Sequence, residues 1–195
     1  IAKISAIKLC RYFNEQYGTN FISAMPANLY GLNDNFDLET SHVLPALIRK
    51  MHLGKCLENG DLQSIRNDLQ RRPMGTQVLN KITDKEITDL LSQYGIKSNC
   101  LINSKLEIQN SKLKTIVDVW GSGTPYREFL HGDDLADACI FLMQKCNAKD
   151  IGEFVNIGTG KEIKINELAN LIKDIVGFKG EIQWDTSKPD GTPRK

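Results

Sequence analysis

The sequence lacks any run near the roughly 18 consecutive apolar residues that cross a bilayer, so no membrane-spanning helix is expected. It lacks an excess of charge: 25 Lys and Arg face 24 Asp and Glu, and a net charge of +1 offers no field to draw nucleic acid or anionic lipid. It also lacks paired cysteines. Cys10, Cys56, Cys100, Cys139 and Cys146 form no Cys-x-x-Cys pair and no Cys/His zinc spacing. They read as reduced thiols of a cytoplasmic protein with no metal site. No secretory signal is expected, because Lys3, Lys8 and Arg11 interrupt the first residues. No Met and no N-cap residue precede the helical pattern at Ile1, and the last residues are the charged KPDGTPRK. Both ends are therefore expected to be cuts in a longer protein.

What is present is the composition of a globular protein, with 41% hydrophobic and 25% charged residues. Ile4, Ile7, Cys10 and Phe13 recur at helical spacing and predict a helix over 1–17, stopped by Gly18. A short buried strand is expected over 20–25, then a loop over 29–40, then a helix over 42–57 capped by Ser41. The polar stretch of about 60–114, broken at Arg71-Arg72-Pro73 and Gly75, reads as a surface insertion. Beyond it follow a strand (115–120), a turn (121–125), a helix opening at Asp133 and Asp134, a strand (153–157), a turn (158–160), a helix (165–176) and a strand (181–185). Strands alternating with helices predict an α/β architecture.

Two glycine patterns carry no phosphate-binding meaning. Gly158-Thr159-Gly160-Lys161 has Val155 where a phosphate loop needs its first Gly, and Glu162 where it needs Ser or Thr. Gly121-x-Gly123 lacks the third Gly of a dinucleotide fingerprint. Taken alone, Lys3 is an ordinary solvated lysine, Pro26 begins a plain turn after a strand, and Trp120 is a core aromatic closing a strand. His52 and His131 read as structural or surface residues.

The blocks IAKISAIKLC, MPANLYG, SHVLPALIRK and WGSGTPYREFLHGDDLADA are followed by NIGTG and SKPDGTPRK. In this order and spacing they resemble the extended short-chain dehydrogenase/reductase family, and within it the GDP-L-fucose synthases. The resemblance covers residues 1–51 and about 117–195. It implies that 1–40 is the C-terminal part of a dinucleotide-binding Rossmann domain. It makes 41–195 the smaller substrate-binding domain, interrupted by the insertion. The implied reaction takes GDP-4-keto-6-deoxy-D-mannose to GDP-L-fucose by 3,5-epimerisation and NADPH-dependent 4-reduction. It is carried out in the cytoplasm by an enzyme that is a homodimer when intact.

The same resemblance implies roles for single residues. Lys3 matches the lysine of the catalytic Tyr-x-x-x-Lys, whose tyrosine would stand two places before Ile1, so the chain alone is expected to be inactive. A lysine there holds the nicotinamide ribose and lowers the tyrosine pKa. Pro26, Ala27, Asn28 and Leu29 match the loop against the nicotinamide. His42 matches the active-site histidine that contacts the cofactor and acts as an acid in epimerisation. Its cysteine partner, in a Ser-x-Cys segment, is none of the five here. Trp120, Arg127, Asp190 and Lys195 match substrate contacts, Arg127 and Lys195 at the diphosphate. Lys50 stands where the family commonly has arginine, and Arg49 adjoins it, so either is a candidate for phosphate. Three alternatives remain: another nucleotide-sugar epimerase or dehydratase of the superfamily, a non-catalytic nucleotide-sugar-binding module, or an interaction domain built on the insertion.

Overall fold

A computed structural model describes residues 1–74, 82–98 and 115–194. In chain order its elements begin with helix α1 (Ala2–Tyr17), strands β1 (Ala24–Pro26) and β2 (Asn28–Tyr30), and helices α2 (Val43–Glu58), α3 (Leu62–Arg71) and α4 (Asp84–Gln93). Strands β3 (Ile96–Ser98), β4 (Thr115–Trp120) and β5 (Tyr126–His131) follow, then helices α5 (Gly132–Lys145) and α6 (Ala148–Ile151). The last elements are β6 (Val155–Ile157), β7 (Glu162–Lys164), α7 (Ile165–Val176) and β8 (Glu181–Asp185). The fold is mixed α/β, as the alternation of patterns predicts.

The chain divides into two compact units, Ile1–Asn33 with Arg127–Glu162, and Asp34–Tyr126 with Ile163–Lys195. Sequence alone suggested one division near residue 40, whereas the chain passes between the units three times. In the first unit β1 pairs parallel with β6, and β2 parallel with β5. Helices α1 and α5 carry no fully buried residue. Ile4, Leu9 and Tyr12 on α1, and Ile140, Phe141 and Met143 on α5, stand exposed.

The second unit holds the core. Strand β4 is central, antiparallel to β3 on one side and parallel to β8 on the other. Its alternating burial turns Thr115, Val117 and Val119 inward. Helices α2 and α7 pack together, and α2 also packs on β4. Leu47, Met51 and Leu53 of α2 meet this core, as do Ile172 of α7 and Phe178 beyond it. Each such side chain contributes about 1.5–3 kcal/mol by leaving water.

Three expectations are corrected. Ser41 does not cap α2: His42 occupies the N-cap position with no side-chain cap, and Ser41 Oγ is buried without a hydrogen-bond partner. The expected loop over 29–40 begins with strand residues, because β2 finds a partner in β5 about 100 residues away. The segment of about 60–114 is not merely superficial. Ile65, Leu69, Met74, Ile87, Leu91 and Ile96 are fully buried, and β3 extends the sheet. Its helices are firmly begun, α3 by Asp61 and α4 by a capping box between Thr83 and Glu86. The parts of that segment at 75–81 and 99–114 lie outside the described residues. Among the described residues, no helix is long and apolar enough to cross a membrane.

Candidate active site

In the second unit the site is built at the end of β4. Trp120 closes that strand but is 71% exposed, so it is not the core aromatic a strand end suggests. Lys188 places its Nζ 5.5 Å from the Trp120 ring centroid, within cation–π range. Next comes a tight turn. Gly121 has φ +84°, and a side chain there would collide with the Asp190 carboxylate. Asp190 accepts from the Ser122 amide at 2.8 Å and from the Ser122 hydroxyl at 2.6 Å. Those two bonds hold the Asp190 carboxyl below its usual range. Tyr126 continues the same surface, with its amide donating to the Pro193 carbonyl at 2.8 Å and the Arg194 guanidinium 5.7 Å from its ring.

Lys50 reaches this strand end from α2. Its Nζ donates to the Asp118 carbonyl at 2.9 Å. Burial pushes its ammonium below the usual lysine range; Asp118 opposes the shift and Lys97 adds to it. Lys97, on β3, pairs with Asp118 at 2.5 Å. Lys50 thus contacts β4 two residues before Trp120, and Asp190 contacts the turn two residues after it. Arg49, one position away, points elsewhere: its guanidinium is buried against Asp68, the Phe36 carbonyl and the Arg72 carbonyl. His42 is exposed at the N-terminus of α2, where its carbonyl accepts from the Ala46 amide.

In the first unit Pro26, Ala27, Asn28 and Leu29 lie where β1 gives way to β2. The Ala27 amide donates to Ile157 at 2.9 Å, and Asn28 Nδ2 donates to the Glu128 carbonyl at 2.8 Å. Arg127 precedes Glu128 on β5. The Glu128 carboxylate accepts from the Gly160 amide at 2.6 Å and the Thr159 hydroxyl at 3.2 Å. The Gly158–Gly160 turn is therefore anchored on a carboxylate, in keeping with its rejection as a phosphate loop. Lys3 is exposed on the first turn of α1. Lys195 lies outside the described residues.

Sequence reasoning missed Ser122, Glu128, Lys188 and Lys97. The first three stand inside the blocks quoted above, so their neighbours were already marked. Lys97 had no local signal, since only the β3–β4 pairing brings it to Asp118. Among the described residues, no group of three or more His, Cys, Asp or Glu is placed to hold a metal ion.

A family model described as the NAD dependent epimerase/dehydratase family matches residues 1–73 and 98–158. The chain belongs to this family. As an epimerase/dehydratase-family chain it is 42% identical, over its whole length, to 44% of a GDP-L-fucose synthase from Sinorhizobium fredii. It superposes over its whole length on half of a GDP-6-OMe-4-keto-L-xylo-heptose reductase from Campylobacter jejuni, with a TM-score of 0.80 and 40% identity. It superposes over 94% of its length on 48% of a GDP-mannoheptose C4 reductase from the same organism, with NADP bound, at a TM-score of 0.73 and 40% identity. The chain spans about half the length of these relatives. It is thus a homologue of nucleotide-sugar epimerases and reductases with a mixed α/β fold.

Proposed function

We propose that the chain is the substrate-binding part of an NADPH-dependent GDP-sugar 3,5-epimerase/4-reductase that converts GDP-4-keto-6-deoxy-D-mannose to GDP-L-fucose. The observation that carries this reading is the exposed Trp120 at the end of β4, with Lys188 over its ring and Lys50 and Asp190 bonded to the chain on either side, in a chain with relatives named for GDP-sugars. An exposed indole offers a face for stacking, and the cations beside it suit a diphosphate. Because Arg49 is fully engaged in the core, Lys50 is the residue of the pair assigned to phosphate. Arg127 and Lys195 are assigned to the same diphosphate from the matched motifs. The intact protein is assigned as a homodimer from the matched motifs alone.

The chemistry follows from the substrate. The C4 ketone acidifies the hydrogens at C3 and C5, so both centres invert through an enolate. His42, exposed at a helix start, is assigned as the acid that returns a proton to carbon. Lys3, Pro26, Ala27, Asn28, Leu29 and His42 are the residues assigned to hold the nicotinamide end. The buried, unpartnered Ser41 hydroxyl beside His42 is a polar group of the kind a bound ligand completes. When bound, NADPH supplies the hydride that reduces C4.

A second reading is a reductase of GDP-4-keto-heptoses without epimerisation, favoured by the 0.80 TM-score match at 40% identity. One experiment separates the two. The full-length protein is given NADPH with GDP-4-keto-6-deoxy-D-mannose or with a GDP-4-keto-heptose, in deuterated water, and the products are read by NMR. GDP-L-fucose deuterated at C3 and C5 is the expected result. Turnover of the heptose alone, without deuterium at C3 or C5, establishes the second reading. Binding of both sugars with no NADPH oxidation establishes a non-catalytic module.

A further inference from the structure

We infer that the segment 62–97 is a positioning device for the loop that carries His42, an inference that rests on the assignment of His42 as the acid. Of this segment, α3 and Arg72 lie inside the first stretch matched by the family model, and residues 74–97, with Tyr94, fall between the two matched stretches. The loop they touch is residues 34–41, which leads directly into His42.

The loop is knit into one piece. Asp37 Oδ1 accepts from the Glu39 amide at 2.9 Å, and from the Thr40 amide and hydroxyl at 2.9 and 3.0 Å. The Asp37 carbonyl accepts from the Ser41 amide at 2.8 Å. Holding Glu39 therefore holds the approach to His42.

Two contacts reach this loop from beyond α2. Tyr94, at the end of α4, donates its hydroxyl to Glu39 Oε1 at 2.7 Å. Arg72, at the end of α3, lays its guanidinium 4.8 Å from the Phe36 ring centroid. Arg49 adds a bond to the Phe36 carbonyl at 3.0 Å and is itself oriented by Asp68 of α3. Tyr94 is in turn fixed to the substrate strand. The adjoining Gly95 has φ +77°, its carbonyl accepts from the Asp118 amide at 2.6 Å, and a Cβ on it would sit 2.8 Å from Asp118 Cβ. Asp118 stands two residues before Trp120. The insertion thus ties the strand that ends in Trp120 to the loop that ends in His42.

The test uses the full-length protein and four variants: Tyr94→Phe, Arg72→Ala, Glu39→Gln and His42→Asn. Two readouts are taken: amide hydrogen exchange of the peptide covering 34–42, and deuterium incorporation at C3 and C5 of the sugar. Tyr94→Phe and Arg72→Ala should speed exchange in that peptide and slow incorporation by about three- to tenfold each, the worth of one modest hydrogen bond for the first and one cation–π contact for the second. KM for the GDP-sugar should stay within about twofold. Glu39→Gln, which keeps an acceptor for Tyr94, should resemble wild type. His42→Asn should abolish incorporation and leave the exchange of the peptide unchanged. Unchanged loop exchange in Tyr94→Phe and Arg72→Ala overturns the proposal. So does faster loop exchange with wild-type incorporation while His42→Asn is inactive. If His42→Asn incorporates deuterium normally, the acid assignment fails instead, and faster loop exchange still upholds the tether.

Discussion

Arg49 and Asp68 form a buried ion pair, their side chains 2% and 9% exposed and 2.7 Å apart, that fastens α3 to α2 within the second unit. Removing one partner strands the other charge away from water. Asp68→Ala should destabilise the second unit by about 3–5 kcal/mol in urea denaturation. The double replacement Arg49→Met with Asp68→Leu should recover most of that loss, because apolar groups of similar volume leave no stranded charge. An Asp68→Ala protein as stable as wild type would remove this pair from the account of the core.

Trp120 gives the opposite pattern. Being exposed, it contributes little to the fold, so Trp120→Ala should change stability by no more than about 0.5 kcal/mol. Its loss should weaken GDP-sugar binding by about 1–3 kcal/mol, read by calorimetric titration, with Trp120→Phe intermediate. Unchanged affinity would return Trp120 to the ordinary surface.

Lys50 couples stability and binding in opposite directions. Burial disfavours its charged form, so Lys50→Met should raise the denaturation midpoint. The same change should weaken GDP binding by about 1.5–3 kcal/mol, the worth of a charged hydrogen bond. A variant that is more stable and binds GDP as wild type does would release Lys50 from the phosphate assignment.

The Tyr94–Glu39 bond sets a pH window. Donation to the Glu39 carboxylate, with burial and nearby acids adding, raises the Tyr94 phenol from 10.0 to about 12. The folded value lies above the unfolded one, so the stabilisation is complete below about pH 10 and is lost as pH rises towards 12. The difference in melting temperature between wild type and Tyr94→Phe should therefore hold steady from pH 7 to about 9 and shrink above 10. A difference that grows with alkalinity would reverse the assigned donor.

The sequence was most legible where local pattern and local structure coincide. The helix over 165–176 and the strand over 181–185 end where periodicity and Gly177 put them. The family resemblance rested on short blocks whose order survives the interruption, and the family match covers those from Ile1 to Ala138, whereas SKPDGTPRK lies beyond its end at residue 158. What was not legible depends on distant pairing. The three residues of β3 contain one apolar side chain, Ile96, and nothing local says that it pairs with Val117. Arg49 reads as a charge on a helix until Asp68 and Phe36 arrive around it. Polar composition hid the insertion's apolar faces, because each of its helices buries only a narrow stripe. For the candidate site, residue types were legible but exposure was not, and exposure is what turns Trp120 from a core residue into a contact surface.

The pairing of β3 with β4 also bears on where the sheet could be extended by another strand. With β8 on one side, and β3 on the other along Thr115, Ile116 and Val117, the first half of β4 is paired on both edges. An exposed edge bearing Val117 and Val119 would be a template for a strand from another molecule. The three residues of β3 therefore serve as a selvedge for that half of β4, and deleting them would open a seam prone to intermolecular association.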